Sequence, residues 1–187
     1  MGHVISFEER AVATLRDRLG AAESAKQDLI AFARGHSGAT AAIHGAVLAL
    51  MEADTLDALF ETVTQRWPAM LGIDEVTLAL VADGKGFRVS IDGVGTVEPK
   101  IVDRAIERIE PVTMRTVGCG HPLFGSSAKH IRSEALVILE ADAPLPYGLL
   151  LLGQSSAVSM DARHGTEYMG FLGAALGAML RRWLVIP

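Results

Sequence analysis

The chain has 187 residues, half of them hydrophobic and 21% charged, which suits one core-bearing domain with an extension rather than two full domains. A net charge of −5 leaves no excess of cations to displace phosphate counterions, so direct nucleic-acid binding is not expected. The single Cys119 rules out an intramolecular disulfide and a cysteine-only metal cage, and it fits a reducing compartment.

The amino-terminal residues lack a basic start followed by an apolar core. The longest apolar run near the end, 169–180, is short of the roughly 20 residues a membrane span needs. A cytoplasmic protein without a membrane anchor is expected. Glu8, Val12, Leu15, Leu19, Ala22, Lys26, Leu29 and Ala33 alternate spacings of four and three, the a/d seam of a coiled coil. Lys26 falls on an a position, and Arg18 at g with Glu23 at the following e could pair across a parallel dimer. The alternative is an amphipathic helix lying on its own domain. Gly35, His36, Ser37 and Gly38 interrupt the pattern, so the reading divides the chain into a dimerising helix over 1–36 and a domain over 37–187.

A second helix is expected from about Thr40, and a third, capped by Asp54 or Thr55, carries Leu56, Leu59, Phe60, Val63 and Trp67 at helical spacing. Strands are expected over 73–82 and 87–91 around a glycine turn, and again over 112–117. Between them a short helix over 100–110 turns Val102, Ala105, Ile106 and Ile109 inward and Lys100, Asp103, Arg104, Glu107 and Arg108 outward. The mixed signs read as a solvated face. The most apolar segments, 134–139 and 147–152, are separated by a turn containing Pro144 and Pro146, which cannot continue a ladder. They read as a central hairpin covered by the long helices at the two ends of the chain. Ser159 or Asp161 can cap the last helix, which runs to about Trp183. Gly170, Gly173, Ala174 and Gly177 form a small-residue stripe on it, suited either to close packing on the sheet or to a dimer seam.

The polar residues of interest are Arg115, Cys119, His121, Lys129, His130, Arg132, Ser133 and Glu134. Cys119 and His121 are two apart, no CxxC exists, and His130 has no partner at i+4, so no zinc pattern emerges. A Cys119–His121 nucleophile pair lacks an orienting third group; a non-enzymatic protein is expected. Phe124 could close over a pocket or plug the core. Arg115 and Arg132 lie in or beside apolar strands, where an inward guanidinium needs a carboxylate or an anionic ligand.

Taken together, TLDALFETVTQRWPAMLGIDEVTLAL, HPLFG, IRSEALVIL, YGLLLLG and HGTEYMGFLGAALGAMLRRWL resemble the bacterial DUF484 family, whose members look like GAF domains. The resemblance implies an α+β fold: an antiparallel sheet of about six strands with the terminal helices on one face and looser loops on the other. GAF relatives bind cyclic nucleotides, tetrapyrroles, haem or small metabolites. The cyclic-nucleotide motif is absent, and Cys119 is not followed directly by histidine as in tetrapyrrole-attaching relatives. The resemblance leaves the cofactor open. Family members are often encoded beside a tyrosine recombinase, which points to a protein partner.

The reading is therefore a dimeric GAF-like sensory or regulatory domain. A small, anionic ligand is expected between the sheet and residues 94–131, lined by Arg115, His121, Phe124 and Arg132. The alternative is a degenerate module, its pocket filled by Phe124, that serves as a dimerising adaptor for a protein partner.

Overall fold

In the computed structural model, residues 7–140, 147–157 and 162–184 are described; within the first helix the described side chains are 16, 18–24, 26, 27 and 37 onward. The chain divides into two units, Met1–Ala41 and Ala42–Pro187. In Met1–Ala41 the chain is helical from Phe7, as the first part of α1 (Phe7–Met51). The break expected at Gly35–Gly38 does not occur: the helix is continuous there. A glycine inside a helix costs only about 1 kcal/mol against alanine, and the neighbouring alanines and the turns on either side outweigh it. Of the proposed seam, Leu19, Ala22 and Lys26 are exposed; the side chains of Glu8, Val12, Leu15, Leu29 and Ala33 lie outside those described.

The unit Ala42–Pro187 is built on a sheet. After α1, Thr55 accepts a hydrogen bond from Ala58 N–H at its Oγ1 and starts α2 (Leu56–Glu61). One π-helical turn (Thr62–Arg66) leads into α3 (Trp67–Leu71), which ends on Gly72 in the left-handed region. Strands β1 (Glu75–Ala82), β2 (Lys85–Ser90) and β3 (Gly93–Val97) form a meander. Helix α4 (Pro99–Ile106) and β4 (Val112–Thr116) follow. A 3-10 segment (Pro122–His130), kinked at Gly125, precedes β5 (Ser133–Leu139) and β6 (Tyr147–Gln154), and α5 (Ala162–Leu184) closes the described chain. The proline turn at 141–146 and the proposed caps Ser159 and Asp161 lie outside the described residues.

The six strands form one antiparallel sheet in the order β3-β2-β1-β6-β5-β4. The two runs read as a hairpin are its adjacent strands β5 and β6, with Val137 opposite Leu150. Both faces are covered, which is why these strands are apolar at nearly every position rather than at alternate ones. On one face Val76, Leu78, Leu80, Val137 and Leu150 pack with Ile43, Ala46 and Leu50 of α1, Trp67, and Leu172 and Leu176 of α5. The Trp67 indole N–H donates to the Ala46 carbonyl at 3.0 Å, so this buried ring brings no unpaired donor into the core. On the other face Ala79, Val81, Leu136, Leu149 and Leu151 pack with Val102 and Ala105 of α4 and with Leu123, Phe124, Ala128 and Ile131. The carboxyl-terminal part of α1, from Ile43 on, and α5 thus share one face, and α4 with the 3-10 segment covers the opposite one.

Candidate functional site

On the face covered by α4, strand register aligns Glu75, Gly153 and Glu134 across β1, β6 and β5, and Arg115 of β4 stands opposite Glu134. Glu134 is fully buried. A buried carboxylate needs partners, and it has three contacts. Arg115 donates from Nε at 2.8 Å and lies at 2.7 Å through Nη2, both to Oε1, while the backbone N–H of His121 donates to Oε2 at 2.7 Å. The Arg115 side chain is 46% exposed, so it joins this buried group to the surface. Glu134 thereby ties the start of the 3-10 segment to the sheet.

The segment is held farther along as well. The Ser127 side chain hydrogen-bonds Glu75, whose carboxyl burial pushes up in pKa, with Asp92 adding to the rise and Ser127, Thr77 and Arg88 opposing it. Between these anchors the segment lies directly on the sheet. A Cβ added to Gly153 would come within 2.6 Å of Ile131 and 3.1 Å of the Phe124 ring, so the sheet surface there is occupied by the chain's own side chains. At Gly125, φ is +64° and an added Cβ would overlap the Arg88 guanidinium. Glycine answers both the backbone conformation and the close approach.

Beside this packed segment a cleft of about 390 Å³ opens between α4 with the turn after it, β4 and the start of the 3-10 segment. Ile101, Ala105, Ile109 and Pro122 give it apolar walls; Arg104, Arg108, Arg115 and His121 give it polar ones. The His121 Nδ1 accepts from Leu123 N–H at 3.2 Å, which makes Nε2 the protonated nitrogen of the neutral ring. Burial holds this imidazole below the usual histidine pKa; Glu134 pulls it upward and Arg115 presses it down. Among the described residues Arg104 and Arg108 have no ion-pair partner, and the acidic residue of α4, Asp103, instead accepts from the Tyr147 hydroxyl at 2.7 Å.

A larger groove of about 480 Å³ lies between the β4–β5 end and α5. Apart from Glu140 and Arg181 its walls are apolar or glycine, so it carries far less recognition chemistry than the arginine-lined cleft.

Of the four residues expected to line a site, Arg115 and His121 meet in the cleft. Phe124 is 1% exposed and packs in the core. Arg132 is exposed and folds back, with Nη1 donating to the Lys129 and Ile131 carbonyls at 2.9 Å each. Neither lines the cleft, since the 3-10 segment turns its apolar side inward and spends the Arg132 guanidinium on its own carboxyl end. Arg104 and Arg108, read from sequence as a solvated face, do line it. Their spacing of four on one helix face beside Ile101 and Ile109 was the available signal, and the interleaved Lys100, Asp103 and Glu107 masked it. The Cys119 thiol donates to the Ala128 carbonyl at 3.4 Å and not to His121. Among the described residues no cluster of three or more potential metal ligands occurs, and no helix is long and apolar enough to cross a membrane.

The fold is GAF-like: a six-stranded antiparallel sheet with helices on both faces. JSC1_58120g3, a far-red absorbing protein with bound biliverdin IXa, matches with a TM-score of 0.54 and 15% identity over 75% of this chain and 98% of that one. The chromophore-binding domain of the bacteriophytochrome RpBphP3 from R. palustris gives 0.52 and 10%, over 75% and 60%. The GAF domain of the cyanobacteriochrome TePixJ gives 0.48 and 18%, over 71% and 93%. The chain belongs to the DUF484 family, described as a protein of unknown function, whose model matches residues 1–185. The sequence finds no match among curated proteins.

Proposed function

We propose that this protein is a cytoplasmic, homodimeric regulatory module without enzymatic activity that senses a small anionic ligand in the cleft between α4, β4 and the 3-10 segment. The observation that carries this reading is the convergence of Arg104, Arg108, Arg115 and His121 on one cleft with apolar walls. Its volume lies in the range of small-molecule sites, roughly 300–1,000 Å³. A tetrapyrrole such as the biliverdin of JSC1_58120g3 does not suit this chain, because Leu123, Phe124 and Ile131 fill the sheet face beneath the 3-10 segment. Dimerisation is supported by Leu48, Met51 and Phe171, large apolar side chains exposed on α1 and α5.

The test is a backbone amide NMR titration of the full chain with a panel of phosphate, phosphate esters, monocarboxylates and dicarboxylates. At least one anion is expected to shift Ile101, Ile109 and His121 together. If none moves them up to about 10 mM, where binding amounts to less than about 3 kcal/mol, the sensor reading falls. The burial of Phe124 would then favour the second reading, a module with a filled pocket that works as a dimerising adaptor for a protein partner.

A further inference from the structure

Resting on that reading of the cleft, we propose that its ligand is a compact dianion with an apolar body, of the charge type of a phosphate monoester or a dicarboxylate. Arg104 of α4, Arg108 of the turn after it and Arg115 of β4 together grip its charged head.

The argument begins with charge. The cleft carries the guanidinium groups of Arg104, Arg108 and Arg115 and the imidazole of His121, which burial keeps toward its neutral form. The buried carboxylate of Glu134 lies at 2.7 Å from Arg115 and offsets one positive charge. About two positive charges therefore remain facing the same space, and a dianion neutralises both.

The second argument is placement. Arg104 near the end of α4 and Arg108 in the turn after it line the same cleft, where like charges repel each other. Mixed-charge helices usually relieve such a pair with a carboxylate three or four residues away. Here Glu107 stands three residues after Arg104 but makes no ion pair with it, Asp103 is held by Tyr147, and no described carboxylate lies within ion-pair distance of either arginine. Two unneutralised forks lining one cleft suit a phosphoryl group or a pair of carboxylates, which guanidinium binds in bidentate fashion. Arg115 contributes from the opposite wall. Its Nε and Nη2 face Glu134, whereas Nη1 has no protein partner among the described residues. The neutral His121 ring adds Nε2–H as a further donor. Ile101, Ile109 and Pro122 offer the rest of the molecule an apolar surface, so bare inorganic phosphate would use only part of the site.

The test uses the full chain and three probes sharing one aromatic ring: phenyl phosphate, phthalate and benzoate. Calorimetric titration at neutral pH is expected to give binding of at least one dianion about tenfold or more tighter than benzoate. The double variant R104Q/R108Q should lose at least about tenfold for the preferred dianion, and R104K/R108K should recover part of it, because charge is kept and the fork is not. Arg132→Gln should bind as the parent does. Preference for phenyl phosphate over phthalate assigns the head to a phosphate ester, and the reverse assigns it to a dicarboxylate.

Equal affinity for benzoate and both dianions overturns the proposal, as does an R104Q/R108Q variant that binds normally. In either case anion-induced shifts at His121 and Ile109 would persist and the wider sensor reading would stand. If no anion in the broader panel shifts the cleft, both fall together.

Discussion

A carboxylate without solvent exposure, as in Glu134, is tolerable because Arg115 and the His121 N–H reach its two oxygens. The two ends of the Arg115–Glu134 pair are not equivalent, because only the arginine touches water. Arg115→Gln leaves a buried negative charge with one remaining donor, at a cost of about 2 kcal/mol after allowance for the exposure of the arginine. Glu134→Gln keeps an oxygen for the His121 N–H and lets the guanidinium return to solvent, so it should cost about 1 kcal/mol. At roughly 2–4 °C per kcal/mol for a chain of this size, Arg115→Gln should melt about 3 °C below Glu134→Gln. Thermal unfolding with the order reversed would show that the pair does not carry the load assigned to it. Sequence alone brought this pair halfway into view. An inward arginine in an apolar strand demanded a carboxylate or an anion, and Glu134 was among the polar residues singled out, but their apposition depends on the β4–β5 register, which no local pattern supplies.

Secondary structure was most legible where the chain repeats a simple physical pattern and least where tertiary packing decides. β5 and β6 announced themselves by apolar runs, and Thr55 by its place before a helix. Strand β3, reading GVGTV and exposed over most of its length, has neither the alternation nor the burial that marks a strand; pairing with β2 creates it. The 3-10 segment is likewise shaped by its ties to Glu134, Glu75 and the sheet rather than by local propensity. The glycine stripe of α5 was left open between sheet packing and a dimer seam, and its members differ. A Cβ on Gly173 would lie 2.6 Å from Val137 Cγ1, whereas on Gly170 the nearest described atom, Val112 Cγ2, is 3.6 Å away. Gly173→Ala should therefore destabilise by about 1–3 kcal/mol, since a β-branched strand residue yields poorly. Gly170→Ala should be neutral or stabilising by up to about 1 kcal/mol through helix propensity. Urea unfolding midpoints separate the two. Equal losses at both positions would mean that α5 is not seated on β4 and β5 in this register.

For the molecule as a whole, the fold was legible because the resemblance to the DUF484 family implied a GAF-like sheet, and the strand and helix order read from the residues agrees with it. The assembly was not, because burial within one chain says nothing of what a second chain covers. The helical unit Met1–Ala41 brings this to a point: Leu19 is 61% exposed at an a position of the sequence seam, seven residues before an exposed Lys26 at the next a. An exposed leucine at an a position is costly in a monomer and natural in a parallel pair, where Arg18 at g faces Glu23 at the following e of the other helix. In the full chain, Leu19→Glu should weaken dimerisation by about tenfold or more, since a buried apolar knob worth roughly 1.5–3 kcal/mol becomes a charge. Arg18→Glu should weaken it by a smaller factor through repulsion of Glu23, and adding Glu23→Arg should restore it. Sedimentation equilibrium measures all of these constants. Recovery in the charge-swapped double variant would fix a parallel register. A loss with Leu19→Glu but no recovery would keep the helix as the dimer contact while reversing its direction. Indifference to all the changes would move dimerisation away from this seam, towards the apolar side chains Leu48, Met51 and Phe171 of the sheet-bearing unit.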